Sequence, residues 1–340
     1  MDKPLLLAMF RRQIEGDHHL LELAQRRFSQ ANLGAEFYPT SLEDLQEHLE
    51  FRPLTERRYT MHLPRHIRLL DRPGFNLITS FAGRCRADAY GMIIHDQWEM
   101  ATKPQDYVQA IREMNQALLK IEPSPYLFIE YAVGLDASDF VAIFEAVQDC
   151  QRVSACIDIS HVGIRKVQQL YSQLHGGDDV CQLTPTHPQL PAIIKDVVTV
   201  SAMALPTVLQ VVRNIGRLGK PLHFHLHDGH PLSTFSIYGV SDHLSFYHEI
   251  EIPFTYNGQR TVPLIFGPTG LKQIIQAALA MLPTDKLSFM LEIHPQYHRL
   301  ELGCQADLFK NWKDKSNAEQ MNAWLELLLQ NLQLLNTVRN

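Results

Sequence analysis

The sequence predicts an α/β fold, most simply a closed (β/α)8 TIM barrel with long βα-loop insertions and extra terminal helices. Three observations carry this. Short β-rich runs alternate with longer amphipathic stretches, which implies right-handed βαβ units and a parallel sheet. The strand-like runs number eight, the count that closes such a barrel. No run opens into a G-x-G-x-x-G turn, so the usual signature of an open dinucleotide-binding sheet is missing.

The strand candidates are 33–38 (LGAEFY), 59–64 (YTMHLP), 91–96 (GMIIHD), 126–132 (YLFIEYA), 153–160 (VSACIDIS), 221–228 (PLHFHLHD), 262–267 (VPLIFG) and 287–294 (LSFMLEIH). A helix over 41–49 begins at Ser41, a residue suited to capping, and has Glu43 and Asp44 in its first turn. The helix over 104–120 opens on Pro104, whose fixed φ suits a first turn. Apolar residues recur at helical spacing over 137–149, 162–174, 201–218 and 269–282. Residues 1–32 read as a helix preceding the barrel, clearest at LLELAQRRF. A final helix near 317–337 carries Trp324, Leu325, Leu328, Leu329, Leu332 and Leu335, and is expected to cover the barrel or pair subunits in a homo-oligomer. The expected organisation is one domain, with helical extension 1–32, barrel 33–295 and helical extension 296–340. The stretches 176–200 and 229–261 exceed ordinary loops and follow strand C-termini, the face on which barrels build active sites. They are expected to be lid or substrate loops, the second with a hairpin turn at Asn257-Gly258.

The 340-residue chain is 45% hydrophobic and 20% charged, enough apolar material to exclude intrinsic disorder. Its net charge of −6 argues against a large phosphate-binding surface. No uninterrupted apolar run approaches the ~18 residues that span a bilayer, so no membrane is expected. Arginines follow the opening LLLAMF at once, so a signal peptide is not expected. Cys85, Cys150, Cys156, Cys181 and Cys304 are odd in number and lack C-x-x-C spacing, which suits a reducing cytoplasm.

Histidine is the unusual residue, with 17 copies. Inward-facing barrel positions are normally Val, Ile or Leu. Here ionisable residues stand near strand ends instead: His62, His95, Glu130, Asp158 with His161 three residues on, then His223, His225 and His227 on one face, then Glu292 and His294. Each alone has a plain structural reading. Glu130 could face a loop, Asp158 could cap a helix, and His62, His95 or His294 could bond loop backbone. Together they would repel one another, since the same strands offer no lysine or arginine. A divalent cation removes that penalty, because carboxylates and neutral imidazoles can share one positive centre. The expected ligands are Glu130, Asp158, His225 and Glu292. Three carboxylates with one imidazole favour Mn²⁺ or Mg²⁺, with Zn²⁺, Co²⁺ or Fe²⁺ as alternatives.

FIEYA (128–132), CIDISHVG (156–163), HFHLHD (223–228) and LEIHP (291–295) resemble the strand-end signatures of the xylose isomerase-like TIM-barrel superfamily. That group includes sugar isomerases, ketose 3-epimerases, inosose dehydratases and the endonuclease IV family. The resemblance implies one cation on Glu130, Asp158, His225 and Glu292. In the epimerase branch it also implies proton exchange by the two glutamates, with His161 steadying substrate oxygens. That branch carries an arginine six residues after the metal-binding histidine, where this chain has Pro231. The endonuclease IV branch implies more ligands: His62, His95, Glu130, Asp158, His161, His225 and Glu292 match in order. A further Asp/His pair would be either Asp228 with His230 or Asp242 with His243, His243 being preferred.

The leading expectation is a metal-dependent isomerase or epimerase of carbohydrate metabolism. Glu130 and Glu292 would transfer the proton, and the metal would stabilise an enediolate. His62, His95, His161 and His243 would bind a sugar-like small molecule, and Phe246 and Tyr247 would shield it. Gly267-Pro-Thr-Gly270 before a helix could cradle a phosphate. The alternatives are a multi-metal phosphoesterase of endonuclease IV type and a non-catalytic metal- or metabolite-binding barrel. The acidic balance and the apparent lack of Arg/Lys-rich loops speak against nucleic acid.

Overall fold

Eight parallel strands close into a barrel in the order β1 (Leu5–Met9), β2 (Gly34–Phe37), β3 (Tyr59–His62), β4 (Ala89–His95), β5 (Tyr126–Glu130), β6 (Val153–Asp158), β7 (Leu222–Leu226) and β10 (Leu287–Leu291), with β10 returning to β1. The computed structural model describes residues 3–10, 17–86, 88–132, 135–182, 187–229, 231, 243–247, 250–256, 259–262, 264–293 and 315–339. Between the strands lie α1 (His18–Gln30), α2 (Leu42–Glu50), α3 (Arg72–Cys85), α4 (Glu99–Thr102), α5 (Pro104–Leu119), α6 (Ala137–Ala146), α7 (Ile159–Leu174), α8 (Leu190–Ser201), α9 (Ala204–Gly216) and α10 (Gly267–Met281), and the last helix is α11 (Asn317–Arg339). This is the expected (β/α)8 TIM barrel. Ser41 accepts from the Asp44 amide and Pro104 opens α5, as their sequence positions imply.

Two expectations need correction. The barrel begins at β1, inside the segment 1–32 that reads as a helical extension; only α1 within it is helical. LLLAM is buried on both faces, so it shows no polar alternation, and the helical signal of LLELAQRRF dominates the segment. Conversely, 262–267 is not a barrel strand. Val262 ends β9 (Gln259–Val262), which pairs antiparallel with β8 (Ile250–Tyr256), while Phe266 and Gly267 lead into α10. The hairpin brackets Asn257-Gly258, which themselves lie outside the described residues. Likewise α7 follows β6 directly, and α8 (Leu190–Ser201) takes up the last part of the expected loop 176–200. Sequence periodicity also passes over α3, which Asp71 caps through the Gly74 amide. Pro191–Gly216 is apolar enough by length and composition to cross a membrane, with a mean hydropathy of 1.6, but it divides into α8 and α9, and α9 packs on α7 and α10.

The register sorts side chains by the two-residue period of strands. One parity (Leu6, Ala8, Phe37, Met61, Ile94, Ile129, Ile157, Phe224 and Phe289 among others) packs outward into the large core beneath the helices. The other parity points at the axis. At the N-terminal end it is apolar, as two small clusters built on Leu5, Leu7 and Met290 and on Ile93, Phe128 and Cys156. Toward the C-terminal end it becomes Glu36, Thr60, His62, His95, Glu130, Asp158, His223 and His225. The barrel interior is thus a largely apolar floor under a polar mouth.

The helix α11 covers the barrel side, one of its two expected roles. Met321, Trp324, Leu325, Leu328, Leu332 and Leu335 are buried, and the Trp324 ring lies against Phe28 of α1. If β1 is a barrel strand, Leu7→Ala opens a void in the floor and lowers stability by about 2–5 kcal/mol, read from urea unfolding. A change within about 0.5 kcal/mol, the size of an ordinary surface substitution, contradicts that placement.

Candidate metal centre

Six of the eight barrel strands, β3, β4, β5, β6, β7 and β10, carry a candidate ligand at or just past their C-terminal end, where an inward-facing position is polar. Ligand atoms of Glu130, Asp158, His225 and Glu292 lie within 4.8 Å of one another, and all four side chains are buried. Two more groups flank them at the same spacing: His62, His95 and Glu130 on one side, His161, His227 and His243 on the other. Glu130 belongs to two groups. All eight residues named from the sequence therefore meet in one cluster, and His227 joins it. The His-x-His-x-His run of β7 divides by depth: His223 sits on the floor, His225 at the centre, and His227 beside Asp158.

Among the described residues, the ion-pair partners of Glu36, Glu130, Asp158 and Glu292 are all histidines. His225 Nδ1 lies 2.9 Å from Glu292 Oε2 and 3.4 Å from Glu130 Oε1. His161 Nδ1 lies 2.9 Å and His227 Nε2 3.0 Å from Asp158 Oδ2. His95 Nε2 approaches Glu130 Oε2 at 3.6 Å, and His243 Nε2 approaches Glu292 Oε1 at 3.7 Å. Several of these contacts lack hydrogen-bond alignment. Both ring nitrogens of His161 and of His225, and Glu292 Oε2, are buried without a hydrogen-bond partner. Leaving such groups unpaired costs about 1–3 kcal/mol each. A cation can satisfy one nitrogen of each ring together with Glu292 Oε2, and His225 Nε2 has Glu36 Oε1 at 3.1 Å, so the donor set fits metal.

Backbone contacts fix tautomers in the same sense. Nδ1 of His62 lies 3.0 Å from Leu63 O, and Nδ1 of His227 lies 3.3 Å from Asp228 O. A carbonyl only accepts, so Nδ1 carries the proton and donates. In the neutral ring Nε2 is then a lone pair, and it faces Glu130 Oε2 at 2.8 Å or Asp158 Oδ2 at 3.0 Å. Acceptor facing acceptor demands a proton or a cation between them. Metal-bound histidines show this arrangement, with the far nitrogen donating to an acceptor.

Asp158 does two jobs that the sequence offers as alternatives. Its Oδ1 accepts from the His161 amide at 2.9 Å and caps α7, while Oδ2 faces the histidines. The segment carrying His243 is fixed from two sides. Asp228 and Leu244 exchange backbone hydrogen bonds of 2.8 and 3.1 Å. Asn331 of α11 accepts from the Phe246 amide at 3.2 Å and donates to Ser245 Oγ at 3.0 Å. Trp324 of the same helix donates to Ile293 O, next to Glu292. Phe246 is thereby a core residue, not a shield for substrate; Tyr247 is about half exposed. The Asp228 carboxylate accepts amides from Gly229, Phe266 and Gly267 at 2.6–3.1 Å, so it occupies the α10 N-terminus that the sequence offers as a phosphate cradle. His230, Asp242 and His294 lie outside the described residues.

Two residues of the site, Glu36 and Tyr38, escape sequence reading, and a third, His227, is visible there but given no role. Glu36 is fully buried between His223 and His225, and Tyr38 donates to Glu36 or Glu292 and stacks on His62. His227 faces Asp158. The signal for Glu36 was available: a lone carboxylate in the otherwise apolar run LGAEFY. The mouth is a cavity of about 540 Å³ whose rim includes Arg65 and Arg68 from the loop after β3 and Trp98 from the loop after β4. Arg68 pairs with Glu99, and Trp98 is 60% exposed. A strand-end loop thus carries arginines after all, at RHIR.

The electrostatics follow from this packing. Burial opposes ionisation of Glu130, but the imidazoles of His225, His95 and His62 outweigh it and hold its carboxyl well below the usual range. His225 and His243 do the same for Glu292. Burial works against charge on His161, yet Asp158, Glu130 and Glu292 push it up to about 9. Burial wins at His95, held down to about 3, and at His243, held down to about 4.

A fold comparison agrees with the barrel. The crystal structure of AsfvAP:AG aligns with a TM-score of 0.53 over 98% of this chain and 100% of that chain, at 12% identity. At that identity the likeness shows the fold alone. No protein-family model matches the sequence, and no curated protein matches it either.

Because His161 holds its proton up to about 9, metal must displace it. Affinity therefore rises with pH between 6 and 9, by about tenfold per unit for one displaced proton, and calorimetry in buffers of different ionisation enthalpy detects proton release. Affinity that stays flat over that range contradicts the assignment.

Proposed function

We propose that the chain is a multi-metal phosphoesterase of the endonuclease IV type, within the xylose isomerase-like superfamily, that acts on a nucleic-acid phosphodiester. The observation that carries this reading is the set of three ligand groups around one mouth, two of them sharing Glu130. A single-cation isomerase needs only Glu130, Asp158, His225 and Glu292 as ligands and would turn the flanking histidines to substrate, whereas two further groups at ligand spacing suit additional cations.

Bound divalent ions would supply Lewis-acid stabilisation of the phosphate charge and an acidified water. The residues of the chain do the rest. Glu130 joins the His62/His95 group to the central one and fixes their separation. Asp158, capped into α7, keeps His161 and His227 in register. Nitrogen-rich flanking sets suit Zn²⁺, Fe²⁺ or Co²⁺, and the carboxylate-rich centre also accepts Mn²⁺. Arg65 at the rim is placed to meet a phosphate beyond the scissile one, and the exposed Trp98 offers a flat face to a base. The acidic net charge is then no obstacle, because the cations and the rim arginine provide the local positive field.

Elemental analysis of purified protein is expected to find two or three transition-metal ions per chain. The metal-loaded protein is expected to nick duplex DNA at an abasic site and not to exchange the C–H proton of a ketose. Glu130→Gln lowers kcat by more than about 10²-fold, beyond the usual effect of an outer-sphere partner. Arg65→Ala raises KM with kcat little changed, the mark of lost uniform binding. One ion per chain together with ketose proton exchange overturns the reading in favour of an isomerase.

A further inference from the structure

We propose that Glu36 is a positioning residue for the central cation: by holding the Nε2 side of His225 it makes Nδ1 the ligating nitrogen. The inference rests on the metal-binding part of the proposed function and not on the reaction catalysed.

The other two histidines whose rings are oriented by an outer contact use backbone for it. His62 and His227 stand at or just beyond strand ends, where Leu63 O and Asp228 O accept from Nδ1. His225 lies inside β7, in register with Asp158 on one side and Met290 on the other. A side chain must therefore stand on the outer side of the ring, and Glu36 Oε1 lies 3.1 Å from Nε2, at ion-pair distance. The opposite nitrogen, Nδ1, faces Glu292 and Glu130. The orientation of His225 is thus reversed relative to its two neighbours, with Nδ1 inward and Nε2 outward.

Glu36 is rigidly placed for the task. Its Oε2 accepts from Thr60 Oγ1 at 2.6 Å and lies 3.1 Å from His223 Nε2, and His223 Nδ1 lies 2.7 Å from Ser288 Oγ. Tyr38 Oη lies 3.2 Å from Glu36 Oε1 and 3.0 Å from Glu292 Oε1, so the same hydroxyl links the outer carboxylate to a candidate ligand. This packing competes with a rival cation site at Cys156, His223 and His225, three buried residues that lie close enough together to form one. Both nitrogens of His223 are engaged, and Nε2 of His225 faces Glu36. A completely buried carboxylate costs several kcal/mol unless it is well paired, so a residue needed only to fill space here would be apolar or an amide.

The test compares wild type with Glu36→Gln, which keeps size and hydrogen-bonding capacity but removes the charge. Both proteins are loaded with Zn²⁺ and dialysed against graded chelator, and ions per chain are counted. Wild-type protein with ¹⁵N-labelled histidine, Zn²⁺-loaded, gives the protonation of His225 from long-range ¹H–¹⁵N correlations. The expected result is a wild-type His225 that carries its proton on Nε2 and binds zinc through Nδ1. Glu36→Gln then loses one ion at about 10–100-fold lower chelator while retaining the others. A merely structural role would lower thermal stability without singling out one ion. Equal retention of every ion in Glu36→Gln overturns the inference, as does a wild-type His225 bound through Nε2. If the variant does not fold, the wild-type spectrum decides alone. A wild-type chain that takes up no ion overturns the metal reading and this inference with it, whereas a wild type that keeps its ions no better than the variant overturns the inference only.

Discussion

Four buried carboxylates share one barrel mouth with imidazoles as their ion-pair partners, and the remainder of the architecture serves that constraint. Glu36, Glu130, Asp158 and Glu292 are each at most 6% exposed. Uncompensated, each buried charge costs several kcal/mol, more than a domain of ordinary stability can bear four times over. Histidine resolves this in two ways. It takes protons when no metal is bound, as the raised values of His161, His62 and His227 indicate, and it becomes a neutral ligand when one is. A barrel is a suitable frame because parallel strands end together, so residues far apart in sequence converge without any loop having to reach.

The scaffold invests outside the barrel to hold these groups. The C-terminal helix α11 is more than a cover. Asn331 fixes the segment that carries His243, and Trp324 anchors the backbone beside Glu292. Asp228 ties β7 to the start of α10 and, through Leu244, to the same segment. Pre-organisation of this kind matters because a metal site displaced by about an ångström loses much of its function. The apolar clusters of Leu5, Leu7 and Met290 and of Ile93, Phe128 and Cys156 back the cluster from below.

Much of this was legible in the sequence, and the failures have physical causes. The ligand quartet could be read because a polar residue at an inward position of a parallel strand violates the expected apolar pattern, and four such violations in order are informative. The strand β1 could not be read that way: a strand buried on both faces leaves no periodicity, and neither LLLAM nor VPLIFG shows polar alternation. His227 was visible but could not be ranked, since three histidines on one face differ only in depth along the axis. The capping and metal-binding readings of Asp158 looked exclusive because sequence does not show that a carboxylate can use one oxygen for each. Arg65 and Arg68 were masked by the overall negative charge, which says nothing of where the cationic side chains stand.

The most direct test of the account is anomalous diffraction at the zinc edge from crystals of the full chain grown with Zn²⁺. The account predicts a peak within about 2.0–2.2 Å of Glu130, Asp158, His225 Nδ1 and Glu292, with a further peak at one or both flanking histidine groups. A map with no peak among those four side chains, or one in which lysine or arginine has moved in to pair with them, would contradict it.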